Sequence, residues 1–121
     1  MTKRILIVED HEDNRRILRD LLTSVGYELI EAVDGVEGVA AAATHRPDLI
    51  LMDIQLPNID GYEATRRIKA NQELRNIPII AVTSFALSGD DKMAYEAGCA
   101  AYITKPFSPR KLLATIRKHL S

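Results

Sequence analysis

The chain has 121 residues, 46% hydrophobic and 27% charged, so it is long enough for one domain with a sizeable core and is unlike disordered or fibrous proteins. Its 16 basic and 17 acidic side chains give a formal net charge of −1, which argues against a nucleic-acid partner. The single cysteine, Cys99, excludes an internal disulfide, and the charged N terminus leads only into a short apolar run. We therefore expect a cytoplasmic protein with no membrane partner.

Short apolar runs alternate with helical patterns along the whole chain, which is typical of a parallel sheet covered by helices on both faces. The predicted strands are residues 5–8, 27–32, 49–52, 78–82 and 101–104. The second run is interrupted by glutamates and suits an edge, whereas the third is the most apolar and suits the centre. We predict a doubly wound, flavodoxin-like α/β fold with five parallel strands in the order 2-1-3-4-5.

Helix signals separate the apolar runs. The first helix is predicted to begin at a cap formed by Asp13 or Asn14 and to end at Gly26, and the second is predicted to end near His45. The third is predicted over residues 62–70. The fourth is predicted to begin at Ser88 or Asp90 and to end at Gly98, and the fifth to begin with Ser108 as cap and Pro109 as its first residue. Each helix therefore has at least one predicted boundary.

Polar side chains stand where four of the predicted strands end. They are Glu9 and Asp10 after the first strand, Asp53 after the third, Thr83 after the fourth and Lys105 after the fifth. Because parallel strands end at one edge of a sheet, these groups should meet where the strand order reverses. Three carboxylates within about 4 Å would repel by several kcal/mol per pair, so a raised pKa or a bound cation is needed. Oxygen ligands in a site with few carboxylates favour Mg²⁺.

This group of side chains predicts phosphoryl transfer. A carboxylate such as Asp53 can act as the nucleophile and form an aspartyl phosphate if positive charge stabilises the transferring group. Lys105 and the metal would supply that charge. Thr83 could donate its hydroxyl to a phosphate oxygen.

The ordered motifs resemble those of the receiver domains of response regulators in two-component signalling, the CheY-like superfamily. They lie at residues 5–10, 48–57, 81–84 and 104–107, and the likeness extends over the whole chain. It is similar both to stand-alone cell-division regulators of the DivK type and to receivers attached to hybrid histidine kinases. The resemblance implies one receiver domain over residues 1–121, which could be a complete protein or part of a longer one.

The resemblance assigns a role to each polar group. It implies Asp53 as phosphoacceptor, Thr83 and Lys105 as contacts of the phosphate, and Mg²⁺ ligands from Glu9, Asp10, Asp53 and the backbone carbonyl of Gln55. It further implies a switch formed by Thr83 and Tyr102, a cis bond between Lys105 and Pro106, and control of phosphate lifetime at Gln55 and Phe85.

The implied partners are a histidine kinase or histidine phosphotransfer protein as donor and a downstream effector protein as target. The surface predicted for the donor includes Asn14, Ile17 and Leu18, and the output surface consists of the last two helices and the last strand. The protein would not be an enzyme in the usual sense, although it would assist its own phosphorylation and dephosphorylation. No motif identifies the individual kinase or effector, and none gives the length of the phosphate lifetime or the oligomeric state.

Two other functions fit the predicted scaffold less well. An aspartate-nucleophile phosphatase of the haloacid dehalogenase type needs a second aspartate two residues after the nucleophile, where this chain has Gln55. Flavin or nucleotide binding needs glycines and hydroxyls in the first loop, which is acidic here. The three histidines, at positions 11, 45 and 119, share no metal-ligand spacing, and we interpret them as solvated; Cys99 is interpreted as a packed side chain.

Overall fold

All five strands are parallel and form one sheet in the order β2-β1-β3-β4-β5, which confirms the predicted doubly wound arrangement. The computed structural model describes residues 2–84 and 90–120. Its strands are β1 (Arg4–Val8), β2 (Glu28–Ala32), β3 (Leu49–Asp53), β4 (Ile79–Thr83) and β5 (Ala101–Thr104). Its helices are α1 (Glu12–Ser24), α2 (Gly35–His45), α3 (Gly61–Ala70), α4 (Asp90–Ala97) and α5 (Pro109–Leu120).

The sheet separates two hydrophobic cores because successive side chains of a strand point to opposite faces. In β3, Ile50 and Met52 belong to one core, and Leu49 and Leu51 belong to the other. All five residues of β3 and of β4 are buried, as expected for central strands, whereas β2 at one edge is only partly covered.

Helices cover both faces of the sheet. The first face packs against α2, α3 and α4 through small and aliphatic residues such as Ala42, Ala64 and Ala94. The second face packs against α1 and α5, whose buried residues include Leu22 and Leu112. None of the helices in the described residues is both long enough and apolar enough to cross a membrane.

The start of α1 differs from the prediction. The helix begins at Glu12, and His11 holds the cap position without any side-chain capping bond, so neither Asp13 nor Asn14 is the cap. The amide of Asn14 instead donates to the carboxylate of Glu9 at 3.2 Å, while the Asp13 side chain is 90% exposed. Asn14 therefore bonds to Glu9, just after β1, instead of capping its own helix.

The other helix ends in the described residues follow the sequence signals closely. Gly26 and Gly98 adopt positive φ just beyond α1 and α4, and the hydroxyl of Ser108 accepts the backbone N–H of Lys111 at 3.0 Å. Helix α3 begins one residue earlier than predicted, because Asp60 caps it by accepting the N–H of Glu63 at 2.9 Å. Ser88, one of the two predicted caps of α4, lies outside the described residues.

Candidate functional site

Asp53 is the last residue of β3 and is only 5% exposed. Its Oδ1 accepts the backbone N–H of Gln55 at 3.1 Å, which fixes the orientation of the carboxylate. The chain at Gly61 passes so close that a Cβ there would lie 2.3 Å from the carbonyl oxygen of Asp53. Only glycine therefore allows α3 to begin directly against the strand end that carries this carboxylate.

Lys105 connects two carboxylates that come from distant parts of the chain. Its Nζ lies 2.8 Å from Oε1 of Glu9 and 3.4 Å from Oδ2 of Asp53. The residue follows the last position of β5, and its long side chain reaches back across the ends of the central strands. Its backbone N–H donates to the carbonyl of Thr83 at 2.7 Å, and the bond from Lys105 to Pro106 is cis.

Glu9 is almost completely buried, with 2% exposure, yet both of its oxygens accept hydrogen bonds. Oε1 accepts from Lys105 and from the amide of Asn14, and Oε2 accepts the backbone N–H of His11 at 3.0 Å. Burial alone would raise the pKa of Glu9, but the bonds from Lys105 and His11 outweigh it and lower the pKa to about 2. Glu9 is therefore a permanent negative charge at neutral pH.

The two neighbours of Glu9 have shifted pKa values as well. Burial, and after it the negative charge of Glu9, raise the pKa of Asp53 to about 6, although the positive charge of Lys105 opposes the change. Burial would lower the pKa of Lys105, but its hydrogen bond to Glu9 and the charge of Asp53 raise it. At pH 7 the cluster therefore contains two carboxylates and one ammonium.

Asp10 fits a cation ligand. Its Oδ1 is shielded from solvent and has no hydrogen-bond partner among the described residues. Nδ1 of His11 lies 3.2 Å away but makes no hydrogen bond to it, so a hard cation is a suitable partner for this shielded carboxylate oxygen. Glu9, Asp10 and His11 each offer a ligand atom, and these atoms lie within 4.8 Å of one another. Within the described part of the chain, Asp53 is not a member of that cluster and connects to Glu9 through Lys105.

His11 is largely solvated, as predicted, but it also lies close to the two acidic side chains at the end of β1. The side chain is 71% exposed, but its Nδ1 lies 3.2 Å from Oδ1 of Asp10 and 3.5 Å from Oε2 of Glu9. His11 stands between Asp10 and the first residue of α1, so its imidazole lies close to the two carboxylates at the end of β1. The spacing of the three histidines along the sequence carries no information about this contact.

Thr83 ends β4 and is buried, with 1% exposure. Its hydroxyl oxygen accepts from Nε2 of Gln55 at 2.5 Å, and Oε1 of the same amide accepts the backbone N–H of Ser84 at 3.1 Å. Tyr102 lies one strand away and packs, half-buried, against the core of the first face. Phe85 lies outside the described residues.

Three side-chain contacts at the site were not predicted from the sequence. They come from Asn14, from the amide of Gln55, which was expected to contribute only its backbone carbonyl, and from Arg15. The guanidinium of Arg15 donates to the carbonyl oxygen of Glu9 at 2.8 Å and so supports the loop that carries Glu9 and Asp10. No motif signals these bonds, because they depend on side-chain directions between separate elements.

An apolar cleft of about 500 Å³ opens beside Glu9 and Lys105. It is lined by α1 and by the segment between β5 and α5, with Asn14, Ile17, Leu18, Leu21, Phe107 and Pro109 among its residues. Ile17 is 60% exposed although it is strongly apolar. The cleft thus combines an exposed hydrophobic wall with direct access to the charged cluster.

Comparison with known proteins identifies the family. Residues 5–117 match the model of the response regulator receiver domain. The chain belongs to this family. Two curated relatives, the polar-differentiation response regulators DivK of Brucella ovis and Brucella anthropi, are each 49% identical over 120 residues, covering 99% of this chain and 98% of theirs. This receiver is therefore DivK-like and belongs to two-component signalling.

Solved structures give the same result for the fold. The receiver domain of a sensor histidine kinase from Pseudomonas aeruginosa superposes with a TM-score of 0.92 at 39% identity, covering 99% of this chain and 98% of that chain. That structure has a magnesium ion coordinated in its active-site cleft. A chemotaxis response regulator of Vibrio cholerae superposes with a TM-score of 0.93 at 28% identity, covering 99% of this chain and all of the other.

Proposed function

We propose that this receiver takes a phosphoryl group onto Asp53 from a phosphohistidine of a kinase or phosphotransfer protein, in a Mg²⁺-dependent reaction, and thereby changes a surface read by an effector protein. The observation that carries the proposal is the bridge made by Lys105 between Glu9 and Asp53. A buried carboxylate held beside an ammonium can react with an anionic phosphoryl group without unbalanced charge.

Asp53 is suited to the nucleophilic role. Its pKa of about 6 leaves it mainly ionised at neutral pH, and burial removes the water that would otherwise solvate the carboxylate. One of its oxygens attacks phosphorus while the bond from phosphorus to the imidazole nitrogen breaks, and that nitrogen keeps the electron pair. Lys105, which contacts the carboxylate of Asp53 before the transfer, can then contact an oxygen of the new phosphoryl group.

The acidic residues fit a magnesium ion. Glu9, Asp10, Asp53 and the backbone carbonyl of Gln55 would hold it, and the observation in favour is the shielded oxygen of Asp10, which accepts no hydrogen bond from the described residues. When bound, Mg²⁺ supplies positive charge to the phosphoryl oxygens.

Switching would start at Thr83. Its hydroxyl can donate to a phosphoryl oxygen on Asp53, and a shift of this buried group would leave space for Tyr102 to move inward. Because the N–H of Lys105 bonds to the carbonyl of Thr83, the end of β5 would respond as well. The surface formed by α4, β5 and α5 would then differ between the two states, as differential binding by an effector requires.

The donor protein would dock on the apolar cleft. Ile17 and Leu18 of α1 form part of its wall, and Lys105 lies at its end, so a partner helix seated there could present a phosphohistidine to Asp53. We further propose that this chain acts in the cytoplasm and assists both its own phosphorylation and its own dephosphorylation. Rapid hydrolysis of free phosphate esters is not expected, because the amide of Gln55 cannot supply a proton to a leaving group.

Acetyl phosphate tests the acceptor assignment. The wild-type protein should gain the mass of one phosphoryl group when Mg²⁺ is present and none when the metal is chelated. Asp53→Asn should gain none, and Asp20→Asn, which changes an exposed acid on α1 in the same way, should behave as wild type. Labelling of Asp53→Asn to the wild-type extent would contradict the proposal.

A further inference from the structure

The side chain of Gln55 joins the loop after β3 to the loop after β4. Its Nε2 donates to the hydroxyl oxygen of Thr83 at 2.5 Å, and its Oε1 accepts the backbone N–H of Ser84 at 3.1 Å. Both groups of the amide are therefore used, one on Thr83, the last residue of β4, and the other on Ser84, which follows the strand. Gln55 is also held at its own backbone, where its N–H donates to Oδ1 of Asp53.

One bond involves the Thr83 hydroxyl, which the proposed function assigns to the phosphoryl group, and the other involves the N–H of the next residue, Ser84, which we take as a second donor to that group. A backbone N–H has a single hydrogen, so Ser84 cannot bond fully to the amide oxygen of Gln55 and to a phosphoryl oxygen at once. The bond from Nε2 likewise restrains the position of the Thr83 hydroxyl oxygen. The amide oxygen of Gln55 thus takes the place of an anionic acceptor in the unphosphorylated protein.

We propose that the Gln55 side chain is a resting-state latch. It holds Thr83 and Ser84 in the unphosphorylated arrangement and releases the Ser84 N–H when a phosphoryl group arrives, so it sets the equilibrium between the two states. Gln55 acts in this role as a positioning residue, because its amide works through Thr83 and Ser84. The inference rests on the proposed function, since the competing group is a phosphoryl oxygen on Asp53.

The latch has a thermodynamic consequence. A ligand shifts a two-state equilibrium only by the difference between its affinities for the two states, and a resting state held by extra bonds reduces the apparent affinity. Removing the bond to Ser84, which the phosphoryl group would have to break, should therefore tighten binding of a phosphoryl analogue by roughly 3- to 10-fold, from the usual net contribution of one hydrogen bond.

Gln55→Met is the informative variant. Methionine has a similar length and no amide, and the backbone carbonyl proposed as a metal ligand is retained. Gln72→Met makes the same chemical change at an exposed position and serves as the matched control. Beryllofluoride with Mg²⁺ is the probe, and its dissociation constant can be measured by NMR titration of each protein.

Two measurements decide the outcome. Gln55→Met should bind beryllofluoride roughly 3- to 10-fold more tightly than wild type, and without any ligand its Ser84 amide should exchange with solvent faster. Gln72→Met should match wild type in both. Equal or weaker binding by a folded Gln55→Met, or unchanged exchange at Ser84, would overturn the latch.

The two proposals fail in different ways. If wild type itself does not bind beryllofluoride in the presence of Mg²⁺, the phosphoacceptor function is wrong. If wild type binds and Gln55→Met binds no more tightly, only the latch is wrong. The exchange rate at Ser84 tests the latch even when no ligand binds.

Discussion

Replacing Asp53 by asparagine should stabilise the metal-free protein. The substitution keeps the shape of the side chain but removes a buried negative charge that lies near Glu9 and is only partly offset by Lys105. The ionised carboxylate is less favourable in the folded protein than in the unfolded chain, since its pKa rises from 3.8 to about 6 on folding. At about 1.4 kcal/mol per pH unit, the difference corresponds to about 3 kcal/mol at neutral pH.

The pH dependence of this gain follows from the direction of the shift. Because the folded state binds the proton of Asp53 more tightly, the contribution of Asp53 to wild-type stability is lost as pH rises from 3.8 to about 6, and the asparagine variant has no such contribution. The advantage of Asp53→Asn should be complete above about pH 7, fall to roughly half near pH 5 and be close to zero near pH 3. Mg²⁺ should reduce it, because a bound cation stabilises wild type more than the variant.

Urea unfolding in the presence of a chelator measures the effect. The midpoint and the free energy of unfolding of wild type and Asp53→Asn should be compared at several pH values, with Asp20→Asn as the control for loss of an exposed acid. A variant that is less stable than wild type at pH 7.5, or a difference that does not change with pH, would refute the electrostatic reasoning.

Three further substitutions address the neighbours of Asp53. Lys105→Met should raise the pKa of Glu9 from about 2 toward its ordinary value of 4.5, because burial is then less opposed, and a carbon-13 NMR titration that shows no rise would contradict this. Arg15→Met should weaken Mg²⁺ binding roughly tenfold by freeing the carbonyl of Glu9, whereas Arg16→Met on the exposed side of α1 should not; equal affinities in an NMR titration would exclude the effect. Gly61→Ala should lower the free energy of unfolding by about 1–3 kcal/mol, since its Cβ would meet the Asp53 carbonyl, and unchanged urea unfolding would show that the backbone yields without cost.

Most of the architecture could be predicted from the sequence because it depends on patterns that repeat along the chain. Five apolar runs separated by helical patterns indicated a parallel sheet, and the most apolar run became the central strand β3. Glycine signals located the ends of α1 and α4, where Gly26 and Gly98 adopt positive φ. Such features are local, and each residue type has a direct physical reason to stand where it does.

The convergence of Glu9, Asp53 and Lys105 could also be anticipated, because it follows from strand order alone. The contacts of Asn14, Arg15 and the Gln55 side chain could not. Asn14 is a good capping residue by type, yet the structure uses its amide on Glu9, a choice that depends on the distance between α1 and the end of β1. Side-chain bonds between elements need coordinates, since many rotamers of a long polar residue are compatible with one sequence.

The hydrogen bond from the backbone of Lys105 to the carbonyl of Thr83 limits how this protein can be re-engineered. Thr83 ends β4 and Lys105 follows β5, and a backbone hydrogen bond joins the two residues. A redesign that slides β5 along β4 would therefore misplace the Thr83 hydroxyl and the Lys105 ammonium at once. New recognition specificities are better introduced on exposed positions of α4, such as Met93 and Tyr95, which leave that pairing undisturbed.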